Sequence, residues 1–376
     1  MWSISRSGKG RIDMSGADLD PNLLKMYQFL VFTKLEGAVT AGMIHLGDHL
    51  GLYRALADAK EPLGCVGLAA ATGLHARWVQ EWLHNQAAAQ LIRVSFGDNG
   101  DETYSLSAEA KVVLAEESHP AFGMGMFHRL PQTMDSLRNL PESFRTGLGR
   151  DYDSHGPQGA VGIERSFEPW SRSYLLPVVL PALEGMENRL ANGARVADIG
   201  CGAGGAAIRI AKAFPKSTVT GYDISRYALE RAETKKHDEG ATNVSFVDPR
   251  RHPLPDDHSL DLVTAFDCIH DMTHPAEVMQ AIRKSLKPDG TWLLVDIKAL
   301  DTFAENMAKN PMASLMYGIS VMSCMSSAMS LPGGAGLGTL GLPESKARQM
   351  AEDAGFTRFR RLDIEHSLNA FYEVRP

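Results

Sequence analysis

Cysteine is scarce, with four in 376 residues at Cys65, Cys201, Cys268 and Cys324 and no C-x-x-C pair among them. That spacing excludes a zinc signature and a disulfide framework, and it fits a reducing, cytoplasmic setting. Positive charge is also short. Lysine and arginine total 38 against 45 aspartates and glutamates, a formal net charge of −7, which argues against nucleic acid or an anionic membrane as partner. Residues 1–20 lack the apolar run of a signal peptide and read as a polar, frayed extension. Asn310 to Pro343 holds no charge, but its serines and Pro332-Gly333-Gly334 make it too polar and too broken to span a bilayer. What is present is an ordinary globular balance, 44% hydrophobic and 22% charged, in a chain long enough for two cores.

From Pro21 the pattern turns helical, with apolar residues from Leu23 to Leu46 crowding more than one face. A helix of that kind is buried against neighbours or in a subunit interface, so a homodimer is expected through it. Leu68 to Leu83 reads as helix, Gly73 turn, helix, with Trp78 and Trp82 paired at i,i+4 as core residues. Leu91–Phe96 and Thr103–Leu106 then form a hairpin. Helix-turn-helix plus hairpin resembles a winged helix. Between Glu61 and Val113, however, three basic residues (Arg77, Arg93, Lys111) face six acidic ones. Phosphate contacts supply most affinity for DNA, so residues 21–118 read better as a dimerisation and capping module.

Residues 119–185 read as a helical connector contributing to a substrate pocket. His128, Trp170 and Tyr174 are its candidate lining residues, although packing against a sheet explains the two aromatics equally well. Asp151 to Gly156 either borders a cleft or is a solvated loop. From Ala194 strands and helices alternate with short links, the mark of an α/β parallel sheet wound on both sides. Strands are expected at Arg195–Asp198, Thr218–Asp223, Val244–Asp248, Asp261–Phe266 and Thr291–Ile297, with an antiparallel pair, Arg358–Ile364 and Ala370–Val374, at one edge. Met312, Met316, Met322, Met325 and Met329 recur at near-helical spacing inside the insert 301–342. Methionine fills irregular space, so the insert is either a lid, with Met316 and Met322 on an apolar pocket, or core packing.

The chemistry concentrates in Asp198-Ile-Gly200-Cys201-Gly202-Ala-Gly204-Gly205. Gly200, Gly202 and Gly205 satisfy G-x-G-x-x-G, and Asp223 follows Asp198 by 25 residues, which alone fits NAD. Asp198 at the strand end would repel a pyrophosphate but attract the ammonium of a sulfonium ligand. Gly204 adds a further close approach, and Asp248 ends a later strand where an adenine amino group could donate. Together these residues resemble class I S-adenosylmethionine-dependent methyltransferases over roughly 194–376. That resemblance implies a Rossmann-like, seven-stranded sheet with its last strand antiparallel, preceded by the mainly α winged helix, in a methyltransferase domain spanning 186–376.

The resemblance also assigns roles. Asp198, Gly200, Cys201, Gly202 and Gly204 would cradle the amino-acid portion of S-adenosylmethionine, with S-adenosylhomocysteine as product. Asp223 and Ile224 would meet the ribose, Asp248 and Pro249 the adenine, and Phe266 and Asp267 the region of the methyl. Asp267-Cys-Ile-His270-Asp271-Met272-Thr-His274 resembles the His-Asp-Trp stretch of plant-type and hydroxyindole small-molecule O-methyltransferases, which carry an N-terminal winged-helix dimerisation domain. The carry-over makes His270, beside Asp271, the base for the acceptor hydroxyl, a task suited to neutral imidazole. Cys201 stands where those enzymes have glycine and Met272 where they have tryptophan. The chain is similar to bacterial, especially actinobacterial, winged-helix methyltransferases. The expected function is methyl transfer to a small, largely apolar acceptor at oxygen, with nitrogen or carbon open. A ligand-sensing winged-helix regulator and a NAD-dependent oxidoreductase are the alternatives.

Overall fold

The computed structural model describes residues 19–376, so nearly all of the expected N-terminal extension lies outside the described residues. The first helix, α1 (Pro21–His49), starts where the Asp20 carboxylate accepts from the amides of Asn22 and Leu23. Its C-terminal third is pinned: a Cβ on Gly47 would meet the Trp82 ring at 2.5 Å, and Trp82 Nε1 donates to the Met43 carbonyl. The rest is bare. Leu23, Leu24, Tyr27, Phe29, Leu30, Val31, Phe32, Leu35 and Val39 are all exposed. By length and composition α1 would suffice to cross a bilayer, so the uncharged insert is not the one segment to weigh on that score.

Helices α2 (Leu52–Asp58), α3 (Cys65–Thr72) and α4 (Ala76–Ala88) and the hairpin β1 (Arg93–Phe96)/β2 (Glu102–Ser105) close around Tyr53, Leu68, Leu83 and Tyr104. Gly73 turns α3 into α4 at φ +69°, a conformation that favours glycine. The buried face of α4 is Val79, Trp82, Leu83 and Gln86. Trp78 falls off that face and is 79% exposed, so the expected Trp78–Trp82 core pair is half wrong. Helix α5 (Ala108–Leu114) ends this module, and the connector follows as α6 (Met124–His128), α7 (Leu130–Asp135), α8 (Leu140–Thr146) and α9 (Gly156–Trp170). Pro169 and Pro177 bring no amide donor, and beyond α9 the chain winds as a π-helix over Ser171–Val179 before α10 (Met186–Gly193).

Strands β3 (Arg195–Ile199), β4 (Thr218–Tyr222), β5 (Val244–Val247), β6 (Leu260–Phe266), β7 (Leu286–Ile297), β8 (Arg358–Arg361) and β9 (Asn369–Arg375) form one sheet, in the order β5-β4-β3-β6-β7-β9-β8. Strands β3 to β7 run parallel, and β9 and β8 add an antiparallel edge, as the sequence leads one to expect. Helix α11 (Gly205–Ala213) and the π-helix pack one face through Ile208, Ile210, Leu175 and Val179. Helices α13 (Pro275–Ser285) and α17 (Glu344–Asp353) pack the other through Met279, Ile282 and Ala351. Helix α12 (Arg226–Asp238) covers β5. The insert carries α14 (Phe303–Lys309), α15 (Ala313–Met322) and α16 (Cys324–Ala328). Strand order reverses between β3 and β6, and a crevice at such a reversal, at the carboxyl ends of the strands, is where open α/β sheets bind ligands.

Candidate active site

Every parallel strand ends in an aspartate at that crevice: Asp198 on β3, Asp223 after β4, Asp248 after β5, Asp267 after β6 and Asp296 on β7. Asp198 is 1% exposed; its Oδ1 accepts from Thr264 Oγ1 at 2.6 Å and its Oδ2 has no partner. Burial raises its pKa to about 7, against the pull of the Thr264 hydrogen bond and with a push from Asp223. The loop that follows turns through Gly200 and Gly202, at φ +64° and +55°. A Cβ on Gly200 would strike Cys268 at 2.6 Å, whereas one on Gly202 would meet nothing within 4 Å. That leaves a bare backbone face at Gly202. Cys201, half-buried, needs no left-handed φ, which is why a side chain stands there. Buried Gly204 takes φ +75° and starts α11.

Asp223 fastens the loop from the next strand, accepting from Gly202 N and Ser225 N at 2.8 Å each. At the following strand end an arginine joins the carboxylate. Asp248 is held by Arg250, whose Nη2 lies 2.7 Å from its Oδ2 and also donates to the carbonyl of exposed Ile224. The Arg250 hydrogen bond keeps the Asp248 carboxyl below the usual range, so an adenine amino group would share it with a guanidinium. Pro249 is half-buried beside it.

On the other side of the crevice Asp267 sits at φ +48° and accepts from Asn369 Nδ2. Burial, with the charge of Asp296 next, raises its pKa to about 7. His270 is 3% exposed, with Nδ1 2.6 Å from Asp296 Oδ1, which also accepts from Ile297 N; Asp296 Oδ2 is buried without a partner. Burial opposes charging the ring, but the charge and hydrogen bond of Asp296, and then the Cys324 side chain, outweigh it, and the His270 pKa stands well above 6.5. Burial likewise raises Asp271, half-buried next in the chain, to about 7.

The insert roofs this turn. Gly338 N donates to the His270 carbonyl at 3.2 Å, Ala335 N donates to that of Thr273, and α16 packs on residues 269–271. It also grips the connector: Gly149 N donates to the Met329 carbonyl, Arg150 N to Ser326 Oγ and Arg129 to Ser323 Oγ. Met316 and Met322 lie half-buried on α15. Asp153 accepts from Ser225 Oγ at 2.5 Å, seating the loop before α9 on the start of α12. Neighbouring Tyr152 then stands among Asp271, Arg129, Asp223 and Cys324, and burial followed by the charge of Asp271 raises its pKa. The loop 151–156 therefore borders the crevice.

The other connector candidates fall elsewhere. Trp170 stacks on Phe371 at 5.9 Å and meets the edge of Phe266 at 5.7 Å, and Tyr174 packs against the same core. Both follow the packing alternative. His128 is tied by two hydrogen bonds: Nδ1 accepts from Arg165 at 3.0 Å, so Nε2 carries the proton it donates to Gln158 Oε1. Residues that sequence reasoning missed are Arg129, Asp296 and Cys324. Asp296 alone left a signal, as the fifth strand-end aspartate. A surface recess of about 550 Å³ is lined by Asp301, Leu337, Lys346 and Gln349.

Residues 190–335 match the family of the methyltransferase domain, and residues 38–116 match the Rv2258c-like winged helix-turn-helix domain. The chain joins a winged helix-turn-helix domain to a class I methyltransferase domain. Human N-acetylserotonin methyltransferase, solved in complex with S-adenosylmethionine, superposes with a TM-score of 0.65 at 18% identity, covering 96% of this chain and 99% of that one. A solved structure from Nostoc punctiforme gives a TM-score of 0.68 at 14% identity over 96% and 100% of the two chains. Such likeness shows the fold. In sequence, a tRNA U34 carboxymethyltransferase of Pseudoalteromonas atlantica is 23% identical over 48% of this chain and 59% of its own length. A sterol 24-C-methyltransferase of Gibberella zeae is 37% identical over 28% and 29%. The chain spans less than two thirds of the length of these curated relatives.

The methyltransferase domain fits S-adenosylmethionine on its own geometry. The unpartnered, buried Asp198 oxygen calls for a cationic donor, and the bare face of Gly202 admits a ligand against the backbone. A row of strand-end carboxylates favours a sulfonium over a pyrophosphate.

Proposed function

We propose that this protein transfers the methyl group of S-adenosylmethionine to a hydroxyl of a small, largely apolar molecule. The observation that carries the reading is Asp198 Oδ2, a buried carboxylate oxygen with no partner at the glycine loop of a methyltransferase domain. Asp198 and the backbone of Gly200–Gly204 hold the amino-acid portion, and Asp223 the ribose. The cofactor supplies an already activated methyl, so the chain's work is alignment and proton removal. His270 takes the acceptor proton at Nε2 while Asp296 fixes Nδ1–H. Residues 119–185 and the insert 301–342 enclose the acceptor.

Calorimetric titration with S-adenosylhomocysteine tests the reading directly. A stoichiometric, saturable heat is expected, and silence at millimolar ligand would sink it.

The winged helix serves assembly in a cytoplasmic homodimer, its partner surface being the bare stretch of α1. Lys34 and Glu36 lie mid-helix, and a bilayer interior would have to accept both charges. Phe29→Glu with Phe32→Glu, both at exposed positions, is expected to convert a dimer to a folded monomer by light scattering. A monomeric wild type contradicts the dimer. As for DNA, Arg77 on α4 is paired with Glu81 at 2.5 Å, which leaves that helix little free positive charge.

A further inference from the structure

Resting on the methyltransferase reading, we infer that the acceptor carries a carboxylate and that Arg129 is the residue that recognises it. Arg129, between α6 and α7, is 3% exposed and is the one Arg or Lys that is fully buried among the described residues. Its Nε donates to Thr133 Oγ1 at 3.3 Å and its Nη2 to Ser323 Oγ at 2.8 Å. No Asp or Glu among the described residues pairs with it. The other shielded guanidiniums are matched: Arg165 with Asp48 and Glu117, Arg209 with Glu168, Arg375 with Glu373. Taking a cation out of water costs several kcal/mol unless an anion meets it. The fold meets that cost for every shielded arginine but this one.

The position of Arg129 says which anion is missing. The charge of Arg129 acts on Asp271, Tyr152 and His155. Its hydrogen bonds to Thr133 and to Ser323 of the insert set it between connector and insert, on the side of the crevice where Tyr152 and Asp271 stand. Nearby His155 is held neutral, its pKa lowered to about 4 by burial and then by Arg129 and Arg150, so it adds no competing cation. A cavity of about 10 Å³ beside Arg129 is lined by Tyr152, His155, Gly156, Gly159 and Ser225. It holds no more than a water. An acceptor thus enters with the Tyr152 loop or the insert displaced. A planar guanidinium fork suits a carboxylate through two parallel hydrogen bonds, and the methionine-rich roof suits an apolar body. A small hydroxylated aromatic or alicyclic acid has both.

The test is calorimetric titration of S-adenosylhomocysteine-loaded protein with 3-hydroxybenzoate and its neutral isostere 3-hydroxybenzamide. Wild type is expected to prefer the acid by about tenfold or more, and Arg129→Met to lose that preference while keeping homocysteine-cofactor affinity and thermal stability. Arg129→Lys keeps the charge without the fork, is expected to retain part of the preference, and carries the test should the Met variant misfold. Equal binding of the two probes by wild type, binding of neither, or a preference that survives both substitutions overturns the inference. So does a Met variant that loses S-adenosylhomocysteine affinity in step with 3-hydroxybenzoate, because the anion would then be the cofactor's own carboxylate. If wild type takes up no S-adenosylhomocysteine, the methyltransferase reading itself has failed.

Discussion

Asp198→Asn is expected to weaken S-adenosylhomocysteine binding at pH 8 by about 100-fold, and to abolish the pH dependence of that binding between pH 6 and 8. The size follows from burial. A charge pair about 4 Å apart at a partly shielded site is worth on the order of 4 kcal/mol. Asp198 Oδ2 lacks a partner that would compete for the ligand. The pH dependence follows from the raised pKa. Burial lifts Asp198 to about 7, so below that pH the free protein holds a proton there which a cationic ligand must displace. Affinity of the wild type should therefore climb about tenfold per pH unit toward pH 7 and level off above it, with release of a proton visible as a buffer-dependent binding enthalpy. Asparagine has no proton to release. Asp267 and Asp271 also titrate near 7, and both persist in the variant, so the difference between the two profiles belongs to Asp198. A flat wild-type profile, or an Asn variant that binds normally, would remove Asp198 from the cofactor site.

Features set by local pattern were legible in the sequence. The five parallel strands, the antiparallel edge and the glycine loop all follow from apolar runs punctuated by Gly, Pro and Asp, and the structure moves their ends by a residue or two, apart from β7, which begins five residues earlier at Leu286, and β8, which stops at Arg361. Features that depend on what folds against what were not. Asp296 meets His270 because β6 and β7 are neighbours, and nothing in either segment announces the pairing. Arg129 and Ser323 lie 194 residues apart, and Tyr152 reaches the crevice because Asp153 docks on α12. Trp78 misled because its i,i+4 spacing to Trp82 puts the two side chains near one another on α4 without putting both on the buried face. Asp248 fits the adenine pattern by position, but Arg250, two residues on, folds back over it, a contact that spacing does not announce.

Because the second large effect is carried by one such pairing, it separates a base from a structural histidine. His270→Ala should lower turnover of a hydroxylated aryl acid by about 10³-fold while S-adenosylhomocysteine affinity stays within about threefold. Loss of a buried imidazole could also loosen the turn and strand Asp296, so the decisive variant is Asp296→Asn, which keeps the side-chain volume. Asp296 stabilises the imidazolium, and the wild-type rate should accordingly rise with pH through a midpoint well above 6.5, the range in which His270 gives up its proton. Removing the carboxylate removes that stabilisation, so the sign is fixed: the midpoint moves to lower pH, by about one unit or more, and an NMR titration of the His270 ring should move with it. Above both midpoints the ring is neutral in either protein. Any deficit that remains there, about 10–100-fold, measures what Asp296 contributes by holding Nδ1–H and aiming Nε2. A purely structural His270–Asp296 pair gives a different pattern: stability falls in both variants, and the rate profile of the folded fraction does not move.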